Sequence, residues 1–157
     1  MIASFRNNPG HPELLYLEDE FDDSWMPSLY KACHCLVQPY RGEGFCLPIV
    51  EAMACGLATI VTGYGPALDF CTSETTWLIP AVEAPFLSKR IADMETADYP
   101  WLAEPDLDAL ISFMRNAYEN RQELTRRGII ASEFISRNFT WQQAGDKAAE
   151  AITHLIN

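Results

Sequence analysis

Short apolar runs alternate with helical segments through the first half of the chain, and this alternation constrains the fold more than any other feature. Four runs have the length and composition of strands. The third run, LATIVT, is hydrophobic along its length, which is typical of a strand covered on both faces. The alternation predicts an open, doubly wound α/β layer with a parallel sheet and right-handed crossovers. The predicted strands are residues 13–18, 34–39, 57–62 and 76–80.

Capping residues and glycines indicate where the helices of this half begin and end. Ser24 is the predicted cap of a helix within residues 22–33, whose apolar face would carry Trp25, Leu29 and Cys33. A second helix is predicted to end at Gly56, because glycine is the preferred residue just beyond a helix C-terminus. Residues 63–70 are predicted to form a turn that leads into a short helix.

The second half of the chain is predicted to end in a helical extension. Residues 83–105 have a weak pattern, and their prolines make a continuous helix unfavourable. Three helices are then predicted over 106–120, 121–139 and 140–156. The first of these has an apolar stripe of Leu107, Leu110, Ile111, Met114 and Tyr118. The last has a stripe of Trp141, Ala144, Ala148, Ala151, Ile152 and Leu155, and its upper part is expected to pack on the sheet.

Thr140 and Gln143 stand three residues apart at the start of the last predicted helix, which is capping-box spacing. Gly128 interrupts the preceding predicted helix, residues 121–139, and weakens that prediction locally.

No linker, repeat or low-complexity tract divides the chain, so residues 1–157 are predicted to form one domain.

Charge and cysteine usage exclude several classes of function. The net charge is −11, from 22 acidic and 11 basic residues, which argues against nucleic acid or an anionic membrane as partner. No apolar run reaches the roughly 18–20 residues that a transmembrane helix requires. The five cysteines include no CxxC pair and predict free thiols in a reducing, cytoplasmic compartment. The CHC triplet at 33–35 would point its side chains to alternating faces of a strand, so no metal site is predicted.

The stretch GEGFCLPIVEAMACG carries the chemistry that stands out. Its loop, residues 42–45, follows a predicted parallel strand, where open α/β sheets bind ligands beside helix N-termini. Glu43 and Glu51 are eight positions apart, at most about 12 Å along a helix. A nucleotide sugar has hydroxyls at both ends and a diphosphate between them, which suits two carboxylates on either side of a helix N-terminus. Alternatively, Glu43 is a solvated loop acid and Glu51 a polar residue on a packed helix.

At these residues the sequence resembles a family. The segment EGFCLPIVEAMACGLATIVT is similar to the E-x7-E signature of family 4 glycosyltransferases, which are retaining and use nucleotide sugars. The resemblance extends more weakly from about residue 13 to the C-terminus. It implies the donor-binding, C-terminal domain of a GT-B fold, in which two Rossmann-like domains face a cleft. No cofactor or metal is implied, since the nucleotide-diphosphate sugar is the donor substrate.

The resemblance also implies roles for individual residues of the motif. Glu43 would contact the donor hexose as the catalytic-site carboxylate, and Glu51 would bind the ribose hydroxyls. The backbone between them would lie along the sugar and diphosphate, through Gly44, Phe45, Cys46 and Leu47.

The sequence departs from the family pattern at several positions. Cys46 replaces the usual second glycine of the loop, and Ala58 replaces a usual proline. The usual Gly-Gly-x-x-Glu turn reads GYGPALDF, which leaves Asp69 as the candidate acid. Arg41 is the basic residue closest to the motif, either as a phosphate ligand or as a solvated loop charge. The Arg and Lys that usually hold the diphosphate have no counterpart here.

The expected partners are therefore a nucleotide sugar and an N-terminal acceptor domain that this sequence lacks. Without that domain the 157 residues are expected to show little or no turnover. The leading hypothesis is the donor half of a retaining hexosyltransferase that acts on an acceptor hydroxyl. The alternatives are a non-catalytic nucleotide-sugar-binding or interaction module and an epimerase-like GT-B relative.

Overall fold

A three-strand parallel sheet flanked by helices forms the centre of the protein, as seen in a computed structural model that describes Gly10, residues 12–91 and residues 93–156. The strands lie in the order β1 (Cys35–Gln38), β2 (Ala58–Thr62) and β3 (Thr76–Ile79). The helices are α1 (Met26–Ala32), α2 (Leu47–Ala54), α3 (Leu107–Glu119), α4 (Arg121–Asn138) and α5 (Trp141–Ile156). Short 3-10 helices span Asp23–Trp25 and Gly65–Asp69. The predicted α/β fold, its parallel sheet and its C-terminal helical extension are confirmed.

Strand β2 is the middle strand, and all five of its residues are buried. It pairs in parallel with both neighbours, so that Ile60 lies between Val37 of β1 and Trp77 of β3. Its two threonines are polar but satisfied: the hydroxyl of Thr59 bonds that of Thr76 at 2.9 Å, for example. The prediction that residues 57–62 form a strand covered on both faces is therefore confirmed.

The two faces of the sheet are covered by different helices. On one face, α2 and the second half of α4 enclose a core that includes Ile49, Met53, Val61, Phe70 and Ile135. On the other face, α3 and the start of α4 cover a core of Ala58, Ile60, Trp77, Ile79, Ala117 and Leu124. Helix α4 contributes to both faces, so it joins the two layers across the end of the sheet.

Arg127 on α4 ties this helix to β3. Its guanidinium lies over the Trp77 ring, 4.4 Å from the centroid, and donates to the carbonyls of Ser73 (2.6 Å) and Thr76 (3.0 Å). It also pairs with Glu123 at 2.8 Å. Hydrogen bonds from Arg126 and Arg127 lower the pKa of Glu123 to about 2, so the pair remains ionised at neutral pH.

Residues 13–18 do not form the strand that their apolar run predicts. They have no regular secondary structure, and Leu15 is 79% exposed. An apolar run becomes a strand only where a neighbouring strand supplies hydrogen bonds. Among the described residues, β1 pairs with β2 alone. The prediction is wrong because strand formation depends on a partner that a short sequence window does not identify.

Helix α1 lies where a helix is predicted, but its cap and its buried face differ from the prediction. The capping side chain is that of Asp22, which caps the 3-10 helix before α1 by accepting from the backbone amide of Ser24 at 2.8 Å. At the N-cap of α1 itself, Trp25 makes no side-chain capping bond. The predicted apolar face is exposed: Trp25 is 64% accessible, and Leu29 and Cys33 are also exposed. The residue that α1 buries is Tyr30. The hydrophobic periodicity does not identify Tyr30 as a buried residue, because tyrosine combines an apolar ring with a polar hydroxyl.

The apolar stripe predicted on α3 is wrong, because a different face of the helix packs on the sheet. Leu107, Ile111, Met114 and Tyr118 are exposed, and only Leu110 of that stripe packs against the core. The face turned to the sheet is instead formed by Ala109, Leu110, Phe113 and Ala117. Small alanines allow the helix to approach the sheet closely, whereas a periodicity search favours the larger side chains.

Helix α5 begins as predicted and packs differently from the prediction. The backbone amide of Thr140 donates to Oε1 of Gln143 at 3.1 Å, and the backbone amide of Gln143 donates to Oγ1 of Thr140 at 3.2 Å. These two bonds complete a capping box. The expected packing of the upper part of its apolar stripe on the sheet is wrong. Trp141 is 94% and Leu155 87% exposed.

Residues 81–105 form antiparallel β structure that the sequence does not predict. Strand β4 (Ala81–Pro85) pairs with β7 (Trp101–Pro105), so that Glu83 lies opposite Ala103. Between them, the two-residue strands β5 (Arg90–Ile91) and β6 (Met94–Glu95) form a smaller ladder. We call the β4–β7 pair and the residues between its strands the hairpin. Pro85 and Pro105 stand at opposite ends of this ladder, in positions where the lack of an amide donor is tolerated.

No helix within the described part of the chain has the length and apolar composition needed to cross a membrane. The five cysteines are free thiols.

Gly128 marks the closest approach between α4 and the turn that joins α2 to β2. Helix α2 ends in a Schellman motif, in which the amides of Gly56 and Leu57 donate to the carbonyls of Met53 and Ala52, both at 2.9 Å. Gly56 has φ +79°, which confirms it as the predicted helix end. A Cβ on Gly128 would lie 2.1 Å from the Gly56 carbonyl oxygen. Gly128 is therefore required for packing.

We expect Gly128→Ala to lower the free energy of unfolding by about 1–3 kcal/mol, because α4 must move away from the backbone of the turn. The matched control is Gly145→Ala on α5, where nothing lies within 4 Å of the added Cβ. That substitution should stabilise the exposed helix by about 1 kcal/mol through helix propensity. Urea unfolding of both variants measures the two values, and equal effects would contradict the close-approach explanation.

Candidate functional site

The candidate site lies at the edge of the sheet where β1 and β2 end. The loop of residues 39–46 leads from β1 into α2, and the residues after Thr62 lead from β2 into the second 3-10 helix. Pro48 occupies the first turn of α2, where its missing amide costs nothing. Both loops therefore lie at the carboxyl edge of a parallel sheet, beside the N-terminus of a helix.

Cys46 has left-handed backbone dihedrals, φ 68° and ψ 60°, immediately before α2. It is the one non-glycine residue with positive φ among the described residues. This explains why glycine suits the position, since a Cβ is strained in this region. The side chain is 4% exposed, and its sulfur accepts a hydrogen bond from Nε2 of Gln38 at 3.2 Å. Burial, and then the charge of Glu43, raise the pKa of the Cys46 thiol.

Glu51 lies in the second turn of α2 and is half-buried. Its Oε2 accepts a hydrogen bond of 3.0 Å from the hydroxyl of Tyr30 on α1. Burial and the Glu51 carboxylate together raise the pKa of Tyr30 to about 12, so that the phenol remains a donor. Glu51 is therefore held by a specific partner on a neighbouring helix, unlike a solvated surface acid.

The other residues with an expected role in donor binding are more accessible than Cys46 and Glu51. Glu43 and Gly44 are exposed, and Leu47 is 57% exposed. Phe45 is also partly exposed, and its ring packs against Phe70, with 5.5 Å between centroids. The motif thus combines a buried anchor at Cys46 with an open surface formed by Glu43, Gly44 and Leu47.

Tyr40 joins the loops that follow β1 and β2. Its backbone carbonyl accepts from the hydroxyl of Thr62 at 2.7 Å, and its own hydroxyl donates to the carbonyl of Tyr64. Tyr40 is 8% exposed, and burial raises its pKa to about 12. The two loops at the carboxyl edge are therefore fixed to each other by one buried side chain.

The hairpin holds the same two loops from outside. The Ala103 amide donates to the carbonyl of Arg41 at 2.8 Å, and the Arg41 guanidinium pairs with Glu104 at 2.5 Å. The hydroxyl of Tyr64 donates to Oε1 of Glu83 on β4. The hairpin thus packs on the candidate site. Arg41, the basic residue closest to the motif, therefore forms an ion pair with the Glu104 carboxylate.

The structure brings the predicted motif residues together around the start of α2, with Glu43 before the helix and Glu51 inside it. Asp69 is exposed at the end of the second 3-10 helix. Sequence reasoning missed Tyr30, Gln38, Tyr40 and the acids of the hairpin. Periodicity does not identify such residues, because each acts through a contact with a residue distant in the sequence.

This arrangement is suited to binding a hydroxylated anion. The N-terminus of α2 attracts negative charge, and carboxylates on both sides of it accept hydrogen bonds from hydroxyls. No group of three or more potential metal-ligating side chains occurs among the residues that the structure describes. Binding through backbone dipoles and carboxylates is the chemistry that these residues supply.

A family comparison covers this site. The model of the family described as glycosyl transferases group 1 matches residues 20–105, more than half of the 157-residue chain. The matched span extends from the residues before α1 to the end of β7 and includes both Glu43 and Glu51. No curated protein shows a significant match to the chain.

We expect Cys46→Gly to be more stable than Cys46→Ala by about 1 kcal/mol, because both remove the sulfur and only glycine relieves the left-handed strain. The control is the same pair of substitutions at Cys55, which has φ −76°. There alanine should be the more stable of the two, by about 0.5–1 kcal/mol. Thermal and urea unfolding of the four variants give the comparison, and alanine matching glycine at position 46 would contradict it.

Proposed function

Since this chain belongs to the group 1 glycosyl transferases, we propose that its carboxyl-edge site binds a nucleotide-diphosphate sugar as the donor for glycosyl transfer. Glu51 accepts hydrogen bonds from the ribose hydroxyls, and Glu43 contacts the hexose. The backbone of Gly44, Phe45, Cys46 and Leu47 lies along the sugar and diphosphate. The observation that carries this proposal is the half-buried Glu51 carboxylate, held in the helix whose N-terminus follows the Glu43 loop.

The finer assignment is a retaining enzyme of family 4, with residues 1–157 forming one donor-binding domain of the C-terminal type. In the reaction, the bond between the anomeric carbon and the phosphate oxygen breaks, and the diphosphate leaves with the electron pair. An acceptor hydroxyl oxygen bonds to the anomeric carbon with retained configuration, and its proton passes to the leaving diphosphate. Positive charge that develops on the sugar ring is stabilised by the Glu43 carboxylate and by the leaving phosphate.

Half-burial of Glu51 supports this assignment over a solvated acid. A carboxylate removed partly from water requires hydrogen-bond donors, and the Tyr30 hydroxyl supplies one. Within the described residues, no hydrogen bond to Oε1 of Glu51 is seen, so this oxygen can accept from a ligand hydroxyl. The exposure of Glu43 agrees with a group that meets a sugar entering from solvent.

Binding measurements with substituted glutamates test the assignment of each end of the donor. We expect Glu51→Ala to weaken binding of both a nucleoside diphosphate and its nucleotide sugar by about 10–100-fold, since hydrogen bonds to a charged group are lost. Glu43→Ala should weaken only the nucleotide sugar. Calorimetry with UDP, GDP and ADP, and with UDP-glucose, GDP-mannose and ADP-glucose, provides the affinities.

Glu150→Ala on the exposed face of α5 is the matched control, because it removes the same charge at a distance from the motif. Its affinities should equal those of the unsubstituted chain. If Glu51→Ala left nucleotide affinity unchanged, the ribose assignment would be wrong. If Glu43→Ala weakened the diphosphate and the nucleotide sugar equally, the hexose assignment would be wrong.

The 157-residue chain alone should bind the donor and transfer little or no sugar. Phe45 and Leu47 are about half exposed, so the site is open to water, and tight transition-state binding requires an opposing wall. A radiolabelled-donor assay with separation of transferred sugar, free sugar and altered nucleotide sugar measures this. Robust transfer by the chain alone would contradict the expectation, and an altered free nucleotide sugar would indicate an epimerase-like reaction instead.

A further inference from the structure

Tyr30 connects an apolar cluster to the candidate site. Its ring is 7% exposed and packs with Ala52 and Leu57, between α1 and the end of α2. Its hydroxyl extends beyond this cluster to Oε2 of Glu51, 3.0 Å away. Phenylalanine would fill the same ring volume, so packing alone does not account for the hydroxyl.

The contact with Tyr30 restricts the Glu51 side chain. Glutamate has several rotatable bonds and loses much rotamer freedom when a ligand fixes it. Here the hydrogen bond fixes it before any ligand arrives. Because the phenol keeps its proton at neutral pH, it donates and Oε2 accepts, which leaves the remaining lone pairs of the carboxylate for other donors.

We propose that Tyr30 is a positioning residue for ribose recognition: its hydroxyl holds the Glu51 carboxylate in the orientation that accepts the two vicinal hydroxyls of a ribonucleotide. This inference rests on the proposed function, in which Glu51 binds the ribose. Preorganisation of this kind raises affinity by reducing the ordering cost of binding. It acts only on ligands that have the ribose hydroxyls.

A ribose-deficient ligand separates positioning from a general structural role. Removal of the hydroxyl in Tyr30→Phe should weaken binding of UDP, GDP or ADP by about 3–10-fold, the usual effect of one hydrogen bond. Binding of the corresponding 2′,3′-dideoxynucleoside diphosphate should be unchanged. The measured quantity is the ratio of the two dissociation constants, obtained on one preparation so that any unfolded fraction affects both ligands equally.

Two further variants sharpen the comparison. In a Glu51→Gln background, Tyr30→Phe should have no additional effect on the ratio, because the group that it orients is already altered. Tyr118→Phe on α3 is the matched control, since it removes a phenol that is 73% exposed. The control should leave both affinities and the ratio unchanged. The melting temperature of each variant gives its folded fraction at the temperature of the binding measurement.

The outcomes distinguish the inference from the proposed function. If the unsubstituted chain binds none of the three diphosphates, or binds ribose and dideoxyribose forms equally, the function proposed for Glu51 fails, and this inference with it. If the chain discriminates but Tyr30→Phe leaves the ratio unchanged, only the positioning role is overturned. The same holds if Tyr30→Phe does not fold, because the hydroxyl would then be needed for the fold itself. A smaller ratio with intact dideoxynucleotide binding supports the role.

Discussion

The pairing of β2 with strands on both sides is the constraint on which the rest of the structure depends. A fully buried strand has no water to bond its backbone, so its amides and carbonyls must be satisfied by β1 and β3. The register of this pairing determines where each strand ends at the carboxyl edge of the sheet. The Tyr40 carbonyl meets the Thr62 hydroxyl at that edge, and the loop into α2 starts there. The register of the sheet therefore determines the position of the loop that carries Glu43.

Features encoded by neighbouring residues could be predicted from the sequence, and features that depend on distant partners could not. The Thr140–Gln143 capping box and the turn at Gly56 are local, and both are confirmed. The hairpin was missed because each of its strands is defined by the other. The composition of residues 13–18 predicts a strand, although the structure of these residues depends on a partner at the edge of β1.

The candidate site shows the same division. The motif gave the spacing of Glu43 and Glu51 and identified Cys46 as an unusual residue, which the structure explains by its left-handed backbone. The roles of these residues in donor binding stay predictions. No local pattern indicates that Tyr30 reaches Glu51 from 21 positions away, because a tyrosine in an amphipathic helix is equally compatible with simple packing.

The hairpin contacts the loops of the site through β4, β7 and the adjacent Phe86, whose ring centroid lies 5.5 Å from the Arg41 guanidinium. Among the described residues, the hydrogen bonds and ion pairs that reach these loops come from Glu83, Ala103 and Glu104. Residues 87–99 form the outer part. Relatives can therefore gain, lose or exchange residues in this outer part without displacing the loop. An insertion within β7 would shift Ala103 out of register with the Arg41 carbonyl. Evolutionary change in the length of the hairpin should therefore concentrate in its outer part, residues 87–99.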